Sequence, residues 1–185
     1  MIDDVLAEAK GGMEKSIESL QIDLASLRTG RASAGLVNKL LVDYYGTPTS
    51  LQELASISVP EAQLIAIRPY DPGALKAIER AILQSDLGLT PNNDGKLIRL
   101  QIPTLTEERR RDLTKSVAKR VEEARISIRN IRRSGLEDLR SFEKEKLIPE
   151  DDFYHGKDEL QKVTDEYIQK ADEIGTAKEK EIMEV

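Results

Sequence analysis

The chain has 185 residues, of which 39% are hydrophobic and 34% charged, enough apolar material to bury the core of one ordinary domain or two small ones. With no cysteine and a single histidine, His155, it has no disulfide or thiolate chemistry, and a structural metal or a histidine-based catalytic triad has no basis in its residues. No apolar run approaches the roughly 20 residues needed to cross a bilayer, and the start Met1-Ile2-Asp3-Asp4 lacks the charge pattern of a secretory signal, so the expectation is a cytoplasmic protein that engages no membrane.

From Asp3 to Arg28 the apolar residues Leu6, Ala9, Met13, Ile17, Leu20, Leu24 and Leu27 alternate in steps of three and four, which predicts an amphipathic first helix. Gly11 and Gly12 interrupt it. Each costs about 1 kcal/mol relative to alanine in a helix interior, so the pair predicts either a close helix contact or local fraying.

Residues 31–103 change character, with six of the seven prolines and short runs that fit strands. Leu36, Leu40, Val42 and Tyr44 share one side of one strand, Ile98, Leu100 and Ile102 one side of another, and Leu64 to Ile67 reads as a third. Gly46-Thr47-Pro48 and Asn92-Asn93-Asp94-Gly95 favour reversals, and Ala74 to Gln84 reads as a helix capped by Asp71 and closed near Gly88. Alternation sends one of Tyr44 and Tyr45 inward and the other outward. The segment is expected to be a compact sheet packed with one helix, inserted between the first helix and the next.

The second helix is expected to open after Thr106, a capping residue, with Glu107 and Glu108 on the positive end of its dipole. Its seam runs through Leu113, Val117, Val121, Ala124, Ile128 and Ile131 and continues through Leu139 and Phe142, until Pro149 is expected to stop the helix. Gly135 is the weak point, where a bend is expected. A third amphipathic helix follows the acids Glu150, Asp151 and Asp152, with Leu160, Val163, Tyr167, Ile174 and Ile182 on its apolar side. Three such helices bury their stripes most simply against one another.

Between Arg109 and Arg133 ten basic residues face three acidic ones, a net +7 in a chain of net −6, which leaves −13 on the rest. That separation gives one attractive surface for a polyanion and makes the remainder repellent. On an ideal helix Arg125, Arg129 and Arg132 fall within about 60° of one another, roughly a quarter-turn from the apolar seam, and Arg133 extends the same stripe. Arginine suits phosphate because its planar fork makes paired bonds and keeps its charge. At 4% aromatic content and without tryptophan, the chain has little to stack on bases, so contact through phosphates and shape is expected. Arg120 with Glu123, and Lys119 with Glu123, read as ordinary intrahelical pairs.

Because the inserted segment enters at Gly30-Arg31 and leaves at Pro103-Thr104, two stretches of chain cross one junction. Gly30 eases backbone rotation and Pro103 stiffens its own side, an arrangement that allows a hinge. A rigid corner is the alternative.

Taken in order, Arg28-Thr29-Gly30-Arg31-Ala32-Ser33, Tyr44-Tyr45-Gly46-Thr47-Pro48 with Leu51 and Leu54-Ala55, Ser85-Asp86-Leu87-Gly88-Leu89 before Pro91, and Leu105-Thr106-Glu107-Glu108-Arg109-Arg110 resemble the ribosome recycling factor family over essentially the whole chain. The resemblance implies an α+β protein, L-shaped overall. Its elongated antiparallel three-helix bundle would be formed by residues 1–30 and 104–185, and its inserted small β/α/β domain by 31–103. It also implies a monomer without cofactor or catalytic residues that acts with elongation factor G and GTP to dissociate post-termination ribosomes into subunits. Its bundle would bind large-subunit ribosomal RNA, with Arg110, Arg129 and Arg132 at the positions matching the family's RNA-binding arginines.

Other readings compete less well. A helical scaffold for other proteins is the runner-up, its basic stripe meeting an acidic helix. An enzyme comes third, since no nucleophile, base and oxyanion arrangement emerges. Gly30 and Gly35 have a phosphate-loop spacing, but Leu36 and Val37 stand where such a loop needs lysine and a hydroxyl.

Overall fold

The computed structural model describes residues 1–184, which divide into two compact units, 1–28 with 107–184 and 29–106. In chain order they hold α1 (Ile2–Ala25), β1 (Leu41–Tyr44), β2 (Thr47–Ser50), the short α2 (Leu51–Leu54), β3 (Ala55–Glu61), β4 (Leu64–Pro69), α3 (Leu75–Gln84), β5 (Pro91–Asn93), β6 (Ile98–Gln101), α4 (Glu107–Lys144) and α5 (Glu150–Met183). The class is mixed α+β.

In the first unit α1, α4 and α5 pack pairwise. The five-residue connection 145–149 folds α5 back against α4, while Arg120 of α4 bonds Asp23 near the end of α1 and Gly12 of α1 meets Ile131, so α1 also runs against α4. Met13, Leu20, Leu113, Val117, Ile128, Leu139, Leu160 and Ala171 form the buried seam. The α1 seam starts at Val5, not Leu6, and the helix stops at Ala25, so Leu27 lies outside it. There the turn tightens: Ser26 Oγ donates to the Asp23 carbonyl at 2.6 Å and the Leu27 N–H to that of Leu24 at 3.1 Å.

Glycines mark the closest helix crossings. A Cβ on Gly12 would sit 3.2 Å from Ile131, on Gly135 3.2 Å from Leu160, on Gly156 3.2 Å from Leu139, and on Gly175 2.6 Å from Val121. The missing side chains are notches that receive a neighbour's branched one. α4 continues as one helix through Gly135, and Gly12 makes the close contact while exposed Gly11 has nothing within 4 Å. On α5, Ile174 is only half-buried; the adjacent Gly175 and the buried Thr164, whose hydroxyl donates to the Leu160 carbonyl at 2.7 Å, take seam positions.

Proline does not end α4. The Leu147 N–H reaches back to the Phe142 carbonyl at 2.8 Å and the Lys146 N–H to that of Glu143 at 3.0 Å, with Lys146 at φ 63°. This is a Schellman turn with lysine in the left-handed position, and it closes the helix before Pro149. Pro149 instead precedes α5, whose first turn carries Glu150, Asp151 and Asp152 at the positive end of the dipole.

The second unit is a four-stranded antiparallel sheet in the order β3-β4-β6-β5, with a separate β1–β2 hairpin and α3. Ile65 and Ile67 of β4, Ile98 and Leu100 of β6, and Ile78 and Ile82 of α3 form its fully buried centre, joined by Val42 and Leu51. The first strand is shorter than its apolar pattern, since Leu36 lies in a 3-10 turn at Ala34–Leu36. The strands β2, β3 and β5 have no clean alternation and were not anticipated; β2 is Thr-Pro-Thr-Ser and β3 is largely exposed at its end. The hairpin turn is Tyr45-Gly46, with φ 50° and 82°, so Tyr45 is 81% exposed while half-buried Tyr44 donates to Asp71 Oδ2 at 2.8 Å. Asp71 caps the 3-10 turn Pro72–Ala74 ahead of α3, accepting from the Gly73 N–H at 2.9 Å.

Candidate nucleic-acid interface

The α4 seam buries Leu113, Val117, Val121, Ala124, Ile128 and Leu139, and this sets the rotation of every other residue on the helix. Arg125, Arg129 and Arg132 consequently form a row along the flank that borders α5, and their surroundings differ. Arg125 is half-buried: its Nε donates to Asp172 Oδ1 of α5 at 2.7 Å, its Nη2 bonds the same oxygen, and its Nη1 donates to Glu122 Oε2 at 3.0 Å. Arg129 Nη1 donates to the other oxygen of Glu122 at 3.2 Å. One turn further, Arg132 Nη1 donates at 3.1 Å to the side-chain carbonyl of Gln161, a neutral group whose amide nitrogen in turn donates to Asp165 at 2.9 Å. Arg133 is exposed, and its side chain has no hydrogen bond or ion pair among the described residues.

The row is therefore graded. At its Arg125 end two guanidinium groups face two carboxylates and the local charge cancels. At its Arg133 end the positive charge is uncompensated. The bonds from Arg125 and then Arg129 hold the Glu122 carboxyl below its usual range, and the bonds from Glu122 and Asp172 raise Arg125.

Arg110 lies on the first turns of α4, half-buried, its Nε enclosed without a hydrogen-bond partner among the described residues. Arg120 is not paired with Glu123 as the sequence suggests. Its Nη1 crosses to α1 and donates to the Asp23 carbonyl at 2.9 Å, with the Asp23 carboxylate 4.0 Å away. Glu122, rather than Glu123, is the acid that organises this face. The signal was in the sequence, since residues three and seven apart share a helix face and Glu122 stands three before Arg125 and seven before Arg129. Asp172 and Gln161 carried no such signal, because only folding of α5 against α4 brings them alongside.

The junction residues lie in the second unit. Gly30 is buried at φ 78°, where an added Cβ would meet Leu105 Cγ at 3.0 Å. Arg31 is half-buried, and Pro103 and Thr104 are exposed. On the two sides of these residues the chain is fastened to one turn: the Ala32 N–H donates to the Ala62 carbonyl at 2.7 Å and the Ile102 N–H to that of Gln63 at 2.8 Å. Gln63 Nε2 also donates to Thr104 Oγ1, at 3.4 Å.

Among the described residues no helix is long and apolar enough to cross a membrane. Residues 20–183 match the family model for ribosome recycling factor. A ribosome-recycling factor of Syntrophomonas wolfei is 55% identical over 185 residues, covering 100% of both chains. Among solved structures, the solution structure of a ribosome recycling factor is 42% identical with a TM-score of 0.76, covering 100% of this chain and 98% of its own. A chain from models for the T. thermophilus ribosome recycling factor and the E. coli elongation factor G bound to the E. coli post-termination complex is 44% identical, with a TM-score of 0.65 and 99% of each chain covered. With the family model spanning most of the sequence and a relative aligned from end to end, the protein belongs to the ribosome recycling factor family.

Proposed function

We propose that this chain is a non-enzymatic cytoplasmic translation factor that works as a monomer with elongation factor G and GTP to dissociate the post-termination ribosome into subunits. Family membership supports the recycling role, and the likeness to a chain from the complex that also holds elongation factor G supports that partner. GTP hydrolysis by the partner supplies the energy, and this chain transmits it.

The bundle binds large-subunit ribosomal RNA through α4. The observation that carries this is the uncompensated end of the arginine row: Arg132 rests on a neutral amide and exposed Arg133 has no carboxylate against it. Phosphate oxygens are the natural complement of such planar donors. Arg110 and Arg129 extend the contact, and Arg125 stands behind it, tying α4 to α5.

The small domain takes the push. Ala32 and Ile102 are held by backbone bonds to the Ala62-Gln63 turn, which leaves Gly30, Arg31, Pro103 and Thr104 as the residues at which the backbone turns. The left-handed Gly30 suits a pivot because rotation there meets no Cβ.

Co-sedimentation of the Arg132→Ala, Arg133→Ala double variant with ribosomes tests the RNA contact. Its affinity should fall several-fold, and the salt dependence of its binding should become shallower by about one to two charge units. An unchanged affinity with a folded bundle refutes the contact surface. A cross-link between the two junction strands should block subunit splitting by elongation factor G and GTP, and undiminished splitting refutes the hinge.

A further inference from the structure

We propose that Glu122 is a carboxylate latch on the arginine row, holding Arg129 in the free protein until an RNA phosphate displaces it. The inference rests on the RNA-binding reading above and adds to it a residue that sets the affinity and selectivity of that surface.

Glu122 spends both carboxylate oxygens on this row, Oε1 on Arg129 at 3.2 Å and Oε2 on Arg125 at 3.0 Å. The two arginines are not equivalent. Arg125 keeps two bonds to Asp172 whatever Glu122 does, and its side chain is 31% exposed. Arg129 has Glu122 as its one partner among the described residues, and its side chain is 40% exposed. Displacing Glu122 therefore releases Arg129 and leaves Arg125 in place. Glu122 is itself 48% exposed, so its pairs are screened by water and weak enough to exchange.

A phosphate is a fit replacement. It presents paired anionic oxygens to the guanidinium fork as a carboxylate does. A lone anion gains little by the exchange, because it trades one ion pair for another and loses its own hydration. A polyanion differs, since the same strand also engages Arg132 and Arg133, which no described carboxylate neutralises. The latch thus favours a continuous phosphate backbone over single anions. Electrostatic discrimination of this kind works through a built-in competitor.

The test measures binding of the full-length protein to isolated bacterial large ribosomal subunits at low salt, with Glu123→Gln as the control for one lost negative charge. Glu123 is exposed, next in sequence, and bonded to neither arginine. Glu122→Gln should bind about two- to fivefold tighter than wild type, the strength of an exposed ion pair, and clearly tighter than Glu123→Gln. The gain should disappear in an Arg129→Ala background. Equal effects of the two glutamine variants, or a gain that persists without Arg129, overturn the latch and reduce Glu122 to a general charge. Weaker binding by a folded Glu122→Gln also overturns it, since Glu122 then positions Arg129 for phosphate. If wild type shows no salt-dependent binding at all, the RNA-binding reading fails, and the latch with it.

Discussion

The Cβ position of Gly175 on α5 lies 2.6 Å from Cγ2 of Val121 on α4, closer than carbon atoms pack, so the helices meet there only because residue 175 has no side chain. Val121 cannot readily turn away, since a β-branched residue in a helix has one strongly preferred rotamer. Gly175→Ala should therefore destabilise the bundle by about 1–3 kcal/mol, the usual cost of overpacking. In a Val121→Ala background the same substitution should be neutral or stabilise by up to about 1 kcal/mol, the helix-propensity gain of alanine over glycine. Urea denaturation of the four proteins checks the reversal of sign; the same loss in both backgrounds shows that the contact is not the cause.

That contact also marks the limit of what the sequence discloses. The seams of α1 and α4 were legible because apolar residues recur at helical spacing, and Ile98, Leu100 and Ile102 announced β6 by alternation. Glycine announces nothing of the kind: Gly135 reads as a weak point in its helix and Gly175 gives no signal, yet both are packing surfaces. The strands β2, β3 and β5 were hidden for another reason. Among their residues only Ala55 is buried, and the strands are held by backbone pairing, which leaves no side-chain pattern to read. At the candidate site the arginines were legible by their spacing, whereas Asp172 and Gln161 act on them only through tertiary packing.

Lys146 occupies the left-handed position of the turn that closes α4, at φ 63°. A lysine pays a steric cost there that glycine does not. Lys146→Gly should stabilise the protein by about 0.5–1 kcal/mol, partly offset by the greater freedom of glycine in the unfolded chain. A raised midpoint in urea with an unchanged slope would bear this out, and a lowered midpoint would show that the lysine side chain contributes more than its backbone costs.

Asp94 gives the small domain an acid-sensitive turn. Its carboxylate accepts the N–H groups of Leu97 and Lys96, each at 2.9 Å, and bonds Arg99 at 2.9 Å. The backbone bonds, first of all that from Leu97, pull its pKa from 3.8 down to about 2. A folded-state value below the unfolded one means that the ionised group favours folding. That contribution is complete above about pH 4 and drains away as pH falls through about 2. Wild type should then exceed Asp94→Asn in stability at neutral pH, and the gap should narrow as the solution is acidified across this window. Carboxyl NMR should give a midpoint near 2 for Asp94. A midpoint near 3.8 would mean the turn is not formed as described.

Arg125 and Arg132 stand seven residues apart on one face of α4, yet they should respond to alanine in opposite ways. Arg125 joins α4 to α5 through Asp172 and steadies Glu122, so its removal strips Asp172 of its cation and leaves Glu122 with Arg129 alone. Arg125→Ala should cost about 1–2 kcal/mol of bundle stability, a loss that shrinks in high salt as the exposed carboxylates are screened. Arg132 bonds only a neutral, exposed amide, and Arg132→Ala should alter stability by less than about 0.5 kcal/mol while weakening ribosome binding. Paired thermal denaturation and co-sedimentation measurements separate the two roles. Should Arg132→Ala prove the more destabilising variant, the graded row would be misassigned, with the structural cation and the RNA contact exchanged.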